Sequence, residues 1–188
     1  MILNGFKLFM AEPITDMLHE KEQAHGVSHG LSDAGYDIRL KQEVIFMERV
    51  HNKTLQMCNY VGEDPEHPYS GKPGRPRGRP RTWKPGRFAL ASAVEHFTMP
   101  DNLVGIVHDK STWARQGLSV FNTVIEPGWH GYLTLELVYH GTERLVLPAG
   151  AGIAQVIFHD LTQRAAYAGK YQNQEDRPVD SIFRSEAA

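Results

Sequence analysis

The chain has 188 residues, 41% of them hydrophobic and 22% charged. That is the size and balance of one soluble domain able to bury its own core without metal or disulfide staples. Lys and Arg number 20 against 22 Asp and Glu, a net charge of −2, which excludes a polycation that coats nucleic acid along its whole length. Its single cysteine, Cys58, excludes an internal disulfide framework and any site built from paired cysteines. The opening MILNGFKLFMAEPITDMLHEKE lacks the apolar run and small-residue cleavage site of a secretory signal. No stretch approaches the roughly 18 apolar residues of a membrane helix. A cytoplasmic protein with no membrane association is the expectation.

Taken in order, residues Gly5–Met10 predict a short helix, followed by a second helical turn within Thr15–Glu22. His25 and His29 are four apart, the spacing of two metal ligands on one helix face. The intervening HGVSHG is too rich in Gly and Ser to hold that helix, and no acidic partner completes a metal site. Ile38 and Leu40 alternate with Arg39 and Lys41, and Val44, Phe46 and Glu48 carry one strand-like stretch onward.

From about residue 62 to 85 the pattern breaks. Residues 72–87, KPGRPRGRPRTWKPGR, carry seven basic side chains and no acid, leaving −9 on the rest of the chain, with four prolines and three glycines among them. Such a composition forbids a regular helix or central strand and predicts a long exposed loop inserted in a single domain spanning 1–188. Within it Pro76-Arg77-Gly78-Arg79-Pro80 resembles an AT-hook, a peptide suited to the narrow minor groove of A·T-rich DNA. A weak, salt-dependent DNA contact through 72–87 stands beside the reading of a solvated loop.

Beyond the loop, Ser111–Gln116 predicts a helical turn. Tyr132–Tyr139, YLTLELVY, is the clearest strand: Leu133, Leu135 and Leu137 point one way, Tyr132, Thr134, Glu136 and Val138 the other. Leu145 and Leu147 form another short strand, and Ile153–His159 a nearly continuous apolar one after the turn at Ala149–Gly152. Short strands separated by turn signals predict an all-β sandwich or barrel with a few short helices.

Two groups of residues carry chemistry. In KSTWAR, Ser111 is a good helix N-cap; a helix start suits an anion, and Lys110 and Arg115 add full charges, Arg with a bidentate fork for phosphate. The alternative is an ordinary cap beside surface ion pairs. Glu136, a carboxylate in so apolar a strand, is either paired structurally or left with a raised pKa, as a proton-shuttling base near neutral pH requires.

The stretch Pro85–Phe158 reads PG-x-F-x-L-x-S-x-x-E, then K-S-T-x-A-R-x-G-L (Lys110–Leu118), E-P-G-W-x-G-x-x-T-L-E-L (Glu126–Leu137) and G-I-A-Q-x-I-F (Gly152–Phe158). With SDAGYDIRL (Ser32–Leu40) upstream and GKYQNQ (Gly169–Gln174) downstream, these six collinear pieces closely resemble the dCTP deaminase branch of the dUTPase/dCTP deaminase superfamily. The resemblance implies a distorted β-barrel or jelly-roll and a homotrimer whose active sites are shared between subunits. It implies hydrolytic deamination of dCTP to dUTP and ammonia, with Glu136 as general acid/base and Ser111 and Arg115 assisting. The triphosphate would lie on Lys110, Ser111, Thr112 and Arg115, and the base against Asn122, Thr123 and Val124. Glu126, Trp129 and Gln155 would complete the substrate site, and a closing tail over 167–188 would bring Tyr167, Lys170, Tyr171 and Gln174 to the nucleotide.

The zinc route to cytosine deamination uses a P-C-x-x-C signature that one cysteine cannot supply. Protein-bound zinc is therefore not expected, and Mg²⁺ would travel with the nucleotide phosphates. Glu126 stands where many members of the resembled family carry Asp, which weighs against a dUTPase, whose shorter carboxylate places the attacking water. A dUTPase or a bifunctional enzyme giving dUMP and pyrophosphate remains the nearest alternative. A non-catalytic nucleotide-sensing or DNA-tethered regulator is the second.

Overall fold

The computed structural model describes residues 1–62, 82–121 and 123–183. The first half of the chain supplies β1 (Ile2–Leu3), helix α1 (Gly5–Ala11), β2 (Lys21–Ala24), β3 (Val27–Ser32), β4 (Gly35–Arg39), β5 (Val44–His51), β6 (Thr54–Val61) and β7 (Lys84–Pro85). The second half supplies β8 (Phe88–Thr98), β9 (Leu103–Asp109), helix α2 (Ser111–Ala114), β10 (Leu118–Val120), β11 (Val124–Ile125), β12 (His130–Tyr139), β13 (Leu145–Leu147) and β14 (Gly152–Asp160).

All named strand pairs are antiparallel, and they form three sheets. Seven strands run β11-β9-β14-β4-β3-β2 with β1 beside β14; three run β10-β12-β8; four run β13-β5-β6-β7. The expected all-β fold is present as a distorted, open barrel. None of the three sheets closes on itself among the described residues.

The period-two alternation is what builds the core. Leu133, Leu135, Leu137 and Tyr139 of β12 are buried with Ala89, Ala91 and Ala93 of β8, and the core continues through Phe46, Ile153, Val156 and Phe158. Each fully buried Leu, Val or Phe contributes about 1.5–3 kcal/mol relative to exposure. Cys58 is 1% exposed within β6.

Three expectations change. The stretch 38–48 is not one strand: Arg39 ends β4 in the seven-stranded sheet, and Val44 begins β5 in the four-stranded one. Between them Leu40 and Lys41 donate to the carbonyls of Ala151 and Ser92, a corner that alternation alone does not reveal. Thr15–Glu22 forms no helix; its end enters β2, which pairs with β3 through a turn at His25 and Gly26, both with positive φ (53° and 76°). Such a turn matches the strand twist, and cross-strand pairing overrides the weak local helical preference. His25 and His29 thus lie on a hairpin. Lastly, the loop expected over 62–85 ends as β7, a two-residue edge strand on β6, where Pro85 is tolerated because an edge needs no donor on its open side. Residues 63–81, with the AT-hook-like peptide, lie outside the described residues.

Candidate active site

A cavity of about 450 Å³ opens beside β12, within the size range of small-molecule sites. Its floor comes from the β8–β12 pair. Glu136 lies opposite Leu90 and Val138 opposite Phe88, so Glu136 projects from a largely apolar sheet face that it shares with Thr134, and Phe88 and Leu90 line the cavity with it. Thr123, Val124, Glu126 and Trp129 form one wall, and Tyr167, Tyr171, Gln174 and the segment Val179–Ser181 form the other.

Glu136 is half-buried, and burial pushes its carboxyl above the usual range with no cation to oppose the shift. Among the described residues no other residue hydrogen-bonds or ion-pairs with its side chain, and only its own backbone N–H opposes the shift. The structural alternative, a salt-bridged strand glutamate, is therefore not what the described residues form. Glu126 also lines the cavity without an ion pair to a described residue. Its carbonyl accepts from the Trp129 N–H at 3.1 Å, closing the turn into β12. The Trp129 indole donates to the Tyr171 carbonyl at 2.6 Å. That bond ties the tail to the turn.

Residues 172–174 of the tail are bonded to the start of β12. The Tyr132 N–H donates to Gln174 O (3.1 Å) and the Asn173 N–H to His130 O (2.9 Å), while the His130 N–H donates to Gln172 Oε1 (2.9 Å). Gly131 permits this approach: it has φ of 133°, and a Cβ there would sit 2.5 Å from the Gln174 nitrogen. Tyr167 lines the cavity, and its hydroxyl accepts from the Tyr171 N–H at 3.3 Å. Lys170 does not face the cavity; it donates to Ile182 O and lies near the Tyr171 and Phe183 rings.

The cationic group lies elsewhere. α2 is fixed by Trp113, whose indole donates to Gly152 O at 2.7 Å. Lys110 occupies the cap position and Ser111 the first helical residue, with no side-chain capping bond. This corrects the assignment of Ser111 as cap. Ser111, Thr112 and Arg115 are exposed, whereas Lys110 pairs with Asp37 at 2.5 Å. None of these four lines the Glu136 cavity. Gln155 is held by Ser32 through Nε2 at 2.9 Å, also outside it. Asn122 lies outside the described residues.

Cavity residues that sequence reasoning did not name as site residues include Phe88, Leu90, Leu133, Thr134 and Val179–Ser181. Thr134 carried a signal, since it shares the Glu136 face two residues away; Val179–Ser181 lay within the closing tail expected over 167–188 but were not singled out. Arg87, the last of the basic run, is spent on the carbonyls of Tyr139 and Gly141. Among the described residues no three His, Cys, Asp or Glu side chains group to hold a metal ion, and no helix is long and apolar enough to cross a membrane.

A strand-rich domain with a carboxylate in one cavity that meets no cation among the described residues, and one exposed guanidinium, Arg115, on a separate turn, has the parts to hold a small charged molecule. The dCTP deaminase-like family pattern matches residues 10–161. A dCTP deaminase of Roseiflexus castenholzii is 39% identical over 160 residues, covering 81% of this chain and 83% of that one. That of Chlamydia caviae is 34% identical over 181 residues, covering 92% and 91%. Among solved structures, a dUTPase from phage phi11 of S. aureus has a TM-score of 0.47 at 13% identity, covering 84% of this chain and 94% of that one. The chain belongs to the dCTP deaminase family.

Proposed function

We infer that this chain is a dCTP deaminase that converts dCTP and water to dUTP and ammonia, with Glu136 moving the protons. The observation that carries the reading is Glu136 itself: half-buried, bonded to no other described residue, and held above the usual carboxylate range by desolvation. Deamination needs a group that accepts a proton from water as it attacks C4, delivers a proton to N3, and then protonates the leaving amine. A carboxyl whose pKa is raised toward the working pH does both halves of that task.

Thr123 and Val124 would flank the base, and Glu126 and Trp129 the sugar side. Lys110, Ser111, Thr112 and Arg115 would hold the triphosphate, with Ser111 also contacting the attacking water. Because the α2 group does not line the Glu136 cavity of its own chain, a complete site takes α2 from a second copy. The exposed Phe88, Phe121 and Val124 near the cavity suit contact with that copy, which supports a homotrimer with shared sites. Mg²⁺ would be carried in by the phosphates; among the described residues no group of His, Cys, Asp or Glu forms a dedicated cage for it.

Incubating the protein with dCTP, measuring ammonia and separating dUTP from dUMP tests this. Equimolar ammonia and dUTP are expected; no ammonia overturns it. A bifunctional enzyme is the second reading, favoured by one observation: Glu126 and Glu136 line the same cavity. Its signature is dUMP and pyrophosphate appearing with the ammonia.

A further inference from the structure

We propose that Thr134 is a positioning residue whose hydroxyl latches the C-terminal strap, Gln174 to Ser181, across the cavity that holds Glu136. The proposal rests on the reading of Glu136 given above. Thr134 lies on the same face of β12 two residues earlier, about 7 Å away along the strand, and is 6% exposed.

Valine is the residue an apolar strand would choose here, because a buried hydroxyl is costly unless it is hydrogen-bonded. Thr134 meets that cost on one target. Its Oγ1 donates to Gln174 Oε1 at 3.1 Å and accepts from the Val179 N–H at 3.0 Å. One hydroxyl thereby grips two points of the same strap, and no described residue outside the strap shares it.

The rest of the strap shows why this bond matters. Residues 171–174 have several other anchors on the turn and first residues of β12, through Trp129, His130 and Tyr132. Val179, Asp180 and Ser181, which wall the cavity, do not. Their attachment runs through Thr134 on one side and, one residue beyond, through Ile182, whose N–H donates to the Tyr171 hydroxyl at 3.0 Å and whose carbonyl accepts from Lys170. Between the two grips, Asp176 pairs with Lys41, and the strap meets Thr134 again at Val179. A segment with so few bonds opens locally long before the sheets do. Latched, it keeps water from Glu136; released, it leaves the carboxyl open to solvent. The strand that presents the reacting group thus also sets how often its cover is shut.

Three single substitutions in the full chain test this: Thr134→Val, Thr134→Ser and Val179→Pro, the last removing the strap's donor without altering β12. Amide hydrogen exchange without nucleotide reads the latch, and kcat and KM for dCTP read its use. With Thr134→Val, amides of 179–182 should exchange about tenfold faster while those of β12 and β14 hold their rates. KM should rise by less than that factor with kcat changed less than about threefold, because only the closed fraction binds productively. Thr134→Ser should restore both, and Val179→Pro should reproduce the loss.

Unchanged strap exchange in Thr134→Val overturns the latch. A loosened strap with unchanged KM overturns its role in the reaction. Failure of Ser to rescue assigns the effect to the methyl group and overturns it as well. A parent protein inert on dCTP would sink the activity reading, while the exchange comparison would still uphold or reject the latch.

Discussion

Glu95 and Glu136 stand on the paired strands β8 and β12, both acidic residues in apolar sequence, and burial pushes both carboxyls upward. Their surroundings then diverge. Glu95 is 4% exposed and fully engaged: Oε1 accepts from Arg39 Nε and Oε2 from the Arg39 backbone N–H, each at 2.8 Å. Arg39 pulls the Glu95 carboxyl back toward the charged form. Glu136 is less buried but has no such guanidinium, and it faces a cavity. The pair teaches that depth of burial alone does not decide how a carboxylate is held. A compensated charge is fixed in place, whereas one without a cation is free to trade protons, as the role proposed for Glu136 requires.

The largest effect separates the two residues by activity. Glu136→Gln should lower turnover on dCTP about 10²–10⁴-fold while calorimetry finds nucleotide binding little changed; parental turnover would end the assignment. The next asks what the Arg39 pairing is for. Arg39→Ala strands a buried carboxylate, and breaking a buried pair costs about 3–5 kcal/mol. With the Arg39 side chain 31% exposed, the lower end is expected, a fall in Tm on the order of 10 °C. Melting the variant from neutral to acid pH should show the deficit shrinking as Glu95 protonates.

A smaller effect belongs to α2. Arg115→Ala removes an exposed cation and should raise KM for dCTP about tenfold with Tm unchanged to within about 1 °C. The smallest is a stability gain. Because the folded state holds the Glu136 carboxyl above its unfolded value, folding binds a proton between those two values. Stability therefore declines as pH rises through that window, and the penalty persists above it. Glu136→Gln should lift Tm by about 2 °C at neutral pH, and the gain should vanish below the ordinary carboxylate range. A gain independent of pH would locate its source elsewhere.

Glu136 was legible before any coordinates, since alternation in YLTLELVY puts it opposite the leucines that the core takes. So was the all-β fold, because Leu145–Leu147 and Ile153–His159 lie within strands β13 and β14. Less legible was everything that depends on a corner or a crossing. The break at Leu40–Glu43 sends β4 and β5 to different sheets, and the hydrogen bonds that fix it come from Ala151 and Ser92, far along the chain. Tail residues were expected at the nucleotide, yet Lys170 turns to Ile182; a mobile-looking composition does not disclose a partner twelve residues on. Glu95 sat within a quoted motif without a role, because its meaning depends on Arg39, 56 positions earlier.

The irregularity in the β8–β12 pair has one further consequence. Between the Tyr132–His96 and Thr134–Ser92 partners, β12 advances two residues and β8 four. The surplus is even, so inside and outside keep their sense on both sides of the defect. It frees Ala93–Glu95 to lean toward β4, where Ala93 bridges Leu40 and Glu95 meets Arg39, without reversing the face that presents Glu136. Insertions and deletions at this point should therefore be tolerated only in twos. A single-residue change would turn one end of the strand inside out, bringing the carboxylate into the hydrocarbon interior or the leucines to the surface.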